Sequence, residues 1–114
     1  MKTVRTFKGM IGTCSRDSGT SVLVENGMLY KGSCAIRPTV GLRFICGNLS
    51  TNIVSYIFEL NEDSTKGKFR TLSGSIYRFN IIEEGSAGEL LTYNISEDVS
   101  KLIVKINEEC SNYL

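Results

Sequence analysis

The chain has no histidine and no tryptophan, and it has a single proline among its 114 residues. The absence of histidine excludes Ser-His-Asp and Cys-His catalysis, an imidazole general base and every metal site that needs a histidine ligand. No glycine-rich phosphate loop is present either. We therefore expect a protein that is not an enzyme and that uses neither a metal ion nor another cofactor.

Long apolar runs are missing as well. No stretch approaches the roughly 18 residues of a membrane span, and residues 1–8 lack the apolar centre of a signal peptide. None of the four cysteines belongs to a Cys-x-x-Cys motif, so no zinc knuckle or dithiol redox site is predicted. We expect a cytoplasmic protein with buried free thiols and no membrane association; two disulfides are the alternative if the protein is exported.

Strand-forming residues are abundant instead. Val, Ile, Thr, Tyr and Phe together number 37, whereas alanine occurs only twice, which favours strands over helices. A chain of this length has room for one core. The sequence predicts a mainly β (β-rich α+β) single domain over 1–114: an antiparallel sheet, or a small barrel or sandwich, of about seven strands within 1–95, with one C-terminal amphipathic helix over 96–111.

Local patterns place these elements along the chain. The sequence predicts a first strand at 4–11, in which Gly9 and Gly12 allow a bend or bulge. Further strands are predicted at 42–46, 53–60, 69–82 with a kink at Ser73-Gly74, and 90–95. Polar stretches predict turns or loops at 15–19, 47–52, 61–68 and 83–88. Pro38 marks 34–39 as a connection. Ser96 is a candidate N-cap, and the apolar residues that follow it recur at helical spacing, although 102–104 could instead be strand.

Asn26-Gly27 is the clearest turn signal, because both residues tolerate the positive φ of a type I′ hairpin. A hairpin over 21–31 would pair Val24 with Leu29 on one face and Leu23 with Tyr30 on the other. Both faces are then apolar, so the hairpin is either covered on both sides or part of an interface. On this basis we expect a homo-oligomer.

Charge is distributed unevenly. Residues 1–82 carry 11 Lys/Arg against 5 Asp/Glu, whereas residues 83–114 carry 2 against 7. Either the acidic C-terminal segment packs near the basic part, or a basic sheet surface meets an anionic ligand or partner. The near-neutral isoelectric point of about 7.6 argues against avid binding of nucleic acid.

The arginines and tyrosines are the strongest candidates for a binding site. Guanidinium groups in a β-rich wall, beside aromatic rings, can hold a phosphate and stack a base. The candidate ligand-binding residues are Arg37, Arg43, Arg70, Arg78, Tyr30 and Tyr77. The alternative is that the arginines lie on the solvent face of the sheet and pair with carboxylates.

One short motif has the letters of a known signature. Asp17-Ser18-Gly19-Thr20-Ser21 resembles the aspartic peptidase motif, and Ile45-Cys46-Gly47-Asn48 is loosely similar to the second motif of that family. The resemblance, to half of a retropepsin-like enzyme, would imply a homodimer in which two copies of Asp17 share a proton. Two features favour a plain turn instead. The residues before Asp17 are polar, whereas that family has an apolar strand there, and Arg16 lies beside the aspartate.

Three classes of function follow. The first expectation is a non-catalytic binding module that sequesters a small anionic, nucleotide-like ligand or inhibits a protein partner, as small domains encoded by viruses often do. The second is a structural or assembly subunit of a homo-oligomer. The third is a retropepsin-like peptidase that uses Asp17.

Overall fold

The structure is a computed structural model that describes residues 1–17 and 28–94. These residues form eight strands: β1 (Lys2–Lys8), β2 (Ile11–Asp17), β3 (Tyr30–Ser33), β4 (Arg43–Cys46), β5 (Leu49–Phe58), β6 (Lys66–Thr71), β7 (Ile76–Glu83) and β8 (Ser86–Tyr93). The prediction of a mainly β, antiparallel architecture is confirmed. About seven strands were predicted, and the described residues contain eight.

Six of the strands form one antiparallel sheet in the order β3-β2-β7-β6-β5-β4, which curls into a nearly closed barrel. Its two edge strands meet where the Gly47 N–H donates to the Ser33 carbonyl at 3.1 Å. Glycine is required at this seam, because a Cβ at Gly32 would lie 2.6 Å from the Gly47 Cα. The seam therefore depends on the close approach of two backbones.

The barrel is filled by aromatic and sulfur-containing side chains. Its buried residues are Met10, Cys14, Cys34, Phe44, Cys46, Val54, Phe69, Phe79 and Ile81. The Phe44 and Phe69 rings meet edge to face, with centroids 5.6 Å apart. This geometry suits the ring quadrupoles, so the aromatic group contributes more than its buried area alone.

A second sheet, formed by β1 and β8, packs against part of the barrel's outer surface. A second buried cluster of Val4, Ala35, Ile36, Leu42 and Tyr93 lies at this junction, and Ile45 and Ile53 of the barrel pack against it. The outer side of β4 at Ile45, and Ile53 of β5, are thus covered. Further round the barrel, the outer side of β6 and β7 is more open and carries charge, with Asp17 of β2 at its border.

The N-terminal strand was predicted only in part. The segment 4–11 is not one strand, because Gly9 has a φ of 73° and turns the chain between β1 and β2. The two strands then join different sheets, and Met10 enters the barrel core. The predicted turn at 15–19 is also wrong over 15–17, where β2 continues and pairs with β7.

Four other predictions need correction, and for the three loops among them the reason is that ladder pairing extends strands into polar sequence. Ser73-Gly74 is not a kink but the turn of a hairpin, because β6 and β7 pair directly with each other. The predicted loops at 47–52, 61–68 and 83–88 are shorter, since β5 begins at Leu49, β6 at Lys66 and β8 at Ser86. The connection at 34–39 contains no strand, as predicted.

Two predicted elements lie outside the residues that the structure describes. The helix over 96–111 lies there entirely, and so does most of the hairpin over 21–31, of which Tyr30 begins β3. Within residues 1–17 and 28–94 there is no helix at all, and hence none that is long and apolar enough to cross a membrane.

Candidate functional site

The exposed outer face of the barrel concentrates positive charge. In β6, Phe69 and Thr71 are buried, so the alternation of a strand turns Lys66, Lys68 and Arg70 to the other side. Arg78 of β7 lies directly opposite Lys68 in the ladder and therefore shares its face. We call the four cationic residues Lys66, Lys68, Arg70 and Arg78 the basic face.

Two carboxylates bind part of the basic face. The Asp17 carboxylate, at the end of β2, accepts a hydrogen bond from the Arg78 Nε at 3.2 Å and lies 3.3 Å from the Lys68 Nζ. The Lys68 Nζ also lies 2.9 Å from a carboxylate oxygen of Glu59. Four charged groups from β2, β6, β7 and the end of β5 thus form one continuous network.

The two carboxylates differ in exposure. The side chain of Asp17 is 9% exposed, whereas that of Glu59 is 62% exposed. Both carboxylates raise the pKa of the Lys68 ammonium group, through hydrogen bonds in which Glu59 has the larger effect. Lys68 therefore stays charged, with one fixed and one exposed anionic neighbour.

Glu59 is positioned by the loop that joins β5 to β6. Its φ of 51° turns the chain out of β5. The loop then closes on Asn61, whose backbone N–H donates to the Lys66 carbonyl at 3.0 Å and whose side-chain oxygen accepts from the Lys66 N–H at 2.9 Å. This closure holds Glu59 over the first half of β6.

The remaining cations of the basic face have no carboxylate partner among the described residues. Lys66 and Arg70 are both exposed and form no ion pair there. With Asp17 and Glu59 included, the face has a net charge of +2. It borders an open groove of about 530 Å³, lined by Glu59, Lys66, Lys68 and Arg78 together with polar residues of β2 and β7.

Aromatic rings stand beside these cations. Tyr56 of β5 is directly opposite Arg70 in the ladder and is 47% exposed. Phe58, the partner of Lys68, has its ring centroid 5.5 Å from that of Tyr56. Directly opposed residues lie about 5 Å apart at Cβ. A planar group placed on Tyr56 would therefore have Arg70 within reach.

The structure brings together only two of the six residues predicted for the site. Arg70 and Arg78 both belong to the basic face. Tyr77 lies on the opposite side of β7, where its ring stacks on Phe69 with centroids 5.3 Å apart. Tyr30 is paired with Cys14, whose side chain is inside the barrel, so Tyr30 shares that inner side.

The other two arginines serve separate parts of the fold. Arg43 lies on β4, three strands away from β7 in the sheet, and its ladder partner is Ile53 of β5. Its guanidinium donates a hydrogen bond to the Thr51 carbonyl at 3.2 Å. Arg37 lies in the connection before β4. Its guanidinium covers the Phe7 ring at 5.4 Å and lies 3.6 Å from the Glu84 carboxylate. Arg43 thus links β4 to β5, and Arg37 links its connection to β1 and to the turn after β7.

Three residues of the site were missed from the sequence: Lys66, Lys68 and Glu59. The polar stretch 61–68 was predicted to be a turn, so the first residues of β6 were not recognised as part of a strand. A usable signal was present, because Lys66-Gly67-Lys68-Phe69-Arg70 alternates charged residues with glycine and an aromatic. That period of two is typical of a strand with one charged face.

The three thiols in the described part of the chain lie away from this surface. Cys14, Cys34 and Cys46 are buried in the barrel, where burial, assisted by Cys46, raises the pKa of the Cys14 thiol to about 12. Within the described part of the chain, no group of three or more Cys, Asp or Glu side chains is arranged to hold a metal ion.

Comparison with protein-family models, with curated proteins and with solved structures found no match for this chain. The geometry of the basic face is therefore the basis for assigning a function.

Proposed function

We propose that this chain is a non-catalytic binding module that captures a small anionic, nucleotide-like ligand on the basic face. The observation that carries the proposal is the pair of exposed cations, Lys66 and Arg70, on the same face as Lys68 and Arg78 and without carboxylate partners in the described structure. A net positive face that borders a groove attracts anions.

The ligand class follows from the cations of the basic face and from the aromatic ring beside them. Arginine and lysine side chains are the usual partners of phosphate, the former through its planar fork of donors and the latter as a point charge. Tyr56, beside Arg70, offers an exposed ring on which a base can stack. A nucleoside monophosphate matches both features, with its phosphate over β6 and its base on β5.

The test is a titration of the full chain with adenosine monophosphate (AMP), followed by the chemical shifts of backbone amides. We expect saturable shifts in β6 and β7, and none with adenosine, which lacks the charge. Lys66→Gln and Arg70→Gln should each weaken the binding of AMP about three- to tenfold, the effect of one exposed charged contact.

Lys2→Gln is the matched control, because Lys2 is an exposed lysine on β1, in the other sheet, and its loss changes the net charge equally. It should leave the affinity within twofold of the wild type. Equal weakening by Lys2→Gln would mean that only the net charge matters. Absence of saturable shifts with AMP, adenosine diphosphate and inorganic phosphate would overturn the proposal and favour the assembly or protein-docking alternatives.

A further inference from the structure

The position of Glu59 bears on which anions the basic face can accept. Lys68 lies at the centre of that face, yet its ammonium group already contacts two carboxylates, Asp17 at 3.3 Å and Glu59 at 2.9 Å. An incoming phosphate must therefore share Lys68 or displace one of them. The contrast in exposure decides which carboxylate leaves.

Asp17 is fixed, because its side chain is almost completely buried and it is also held by Arg78 at 3.2 Å. Glu59 has a side chain that is 62% exposed, Lys68 is its only ion-pair partner in the described structure, and it lines the groove. An exposed ion pair of this kind contributes little stability, so its exchange for another anion costs little. Glu59 can swing into water while Asp17 stays in place.

We propose that Glu59 is an internal competitor that occupies the anion position on Lys68 and makes the basic face selective for a doubly charged phosphate group. A singly charged anion that replaces Glu59 exchanges one contact for an equivalent one and gains little. A phosphate monoester carries close to two charges at neutral pH and can contact Lys66 or Arg70 as well as Lys68. This inference rests on the proposed function and adds the class of phosphate that the site takes.

The test compares three proteins, the wild type, Glu59→Gln and Glu62→Gln, each titrated with AMP and with cyclic AMP, which has the same base but a singly charged diester. Glu62 is the matched control, since it is an exposed glutamate on the same loop with no ion pair in the described structure. Both substitutions remove one negative charge, but only Glu59→Gln removes the contact with Lys68.

We expect the wild type to bind AMP at least fivefold more tightly than cyclic AMP. We expect Glu59→Gln to bind AMP about two- to fivefold more tightly than the wild type, the effect of removing one exposed competing pair, and Glu62→Gln to change the affinity less than 1.5-fold. Equal gains in both variants, a loss of affinity in Glu59→Gln, or equal binding of AMP and cyclic AMP would overturn the competitor role while leaving the binding function intact. If none of the three proteins binds either nucleotide, both proposals are overturned.

Discussion

Asp17 offers the sharpest test of the charge network, because its replacement should move stability and ligand affinity in opposite directions. Asp17→Asn keeps the shape of the side chain and one acceptor oxygen but removes the charge that faces Arg78 and Lys68. A hydrogen bond to a charged group contributes about 1.5–3 kcal/mol when buried and less when exposed. The side chain of Asp17 is only 9% exposed, whereas those of Lys68 and Arg78 are 25% and 58% exposed, so water screens the pairs in part. We therefore expect Asp17→Asn to lower the free energy of unfolding by about 1 kcal/mol.

The same substitution should improve the binding of anions. It raises the net charge of the basic face from +2 to +3 and releases two cations from their fixed carboxylate partner. We expect the affinity for AMP to rise about two- to fivefold, as for the loss of one competing charge. A residue that served only to hold the fold would lower both the stability and the affinity when replaced.

Urea unfolding and the amide titration with AMP measure the two effects on the same sample. Glu89→Gln is the matched control, because Glu89 is an exposed acidic residue on β8 and forms no ion pair in the described structure. It should change neither quantity measurably. An Asp17→Asn protein with unchanged stability, or with weaker binding of AMP, would refute the reasoning.

The peptidase alternative makes a different prediction, namely that the wild type cleaves casein at pH 4–7 and the Asp17→Asn variant does not. We expect both proteins to be inert.

Two further predictions concern the barrel interior. Phe44→Leu should destabilise the protein by about 1–2 kcal/mol in urea unfolding, because Phe44 is fully buried against the Phe69 ring. Phe58→Leu, on the half-exposed outer side, should cost less than about 0.5 kcal/mol. Equal costs would contradict the assignment of the core. Because burial raises the pKa of Cys14 to about 12, its thiolate is about a thousandfold scarcer at pH 8 than that of an ordinary thiol. Alkylation by iodoacetamide, followed by mass spectrometry of the peptide that contains Cys14, should therefore be slow until urea unfolds the chain, and labelling of the native protein at the rate of a free peptide would contradict this.

Local sequence was sufficient to predict the class of fold and several of the strands. The alternation in 42–46 and 53–60 corresponds to β4 and to the second half of β5, and the lone proline at 38 lies in a connection, as predicted. These features are local, because β-branched and aromatic residues at every second position suit a half-buried strand whatever its neighbours are. The same property explains why Arg78 and Arg70 were recognised as strand residues.

Strand ends were harder to predict, because pairing with a distant strand can extend a strand into polar residues. Ser15 to Asp17 belong to β2 because β7 supplies hydrogen-bond partners 60 or so residues away. Lys66 and Lys68 belong to β6 for the same reason. Both segments are polar and lie near glycines, as turns do, and only the alternation of charged residues in 66–70 distinguishes the second segment from a turn.

The candidate site shows the same division. Sequence alone determined that the chain is rich in strands, has no histidine chemistry and carries its positive charge in residues 1–82. Only the tertiary structure decided that Arg70 and Arg78 share a face while Tyr77, Arg43 and Arg37 do not, and that Asp17 and Glu59 meet Lys68. The physical reason is that a strand specifies which residues alternate but not which of its two sides is buried. That choice depends on ladder register and on what packs against each face, and both involve residues far apart in the sequence.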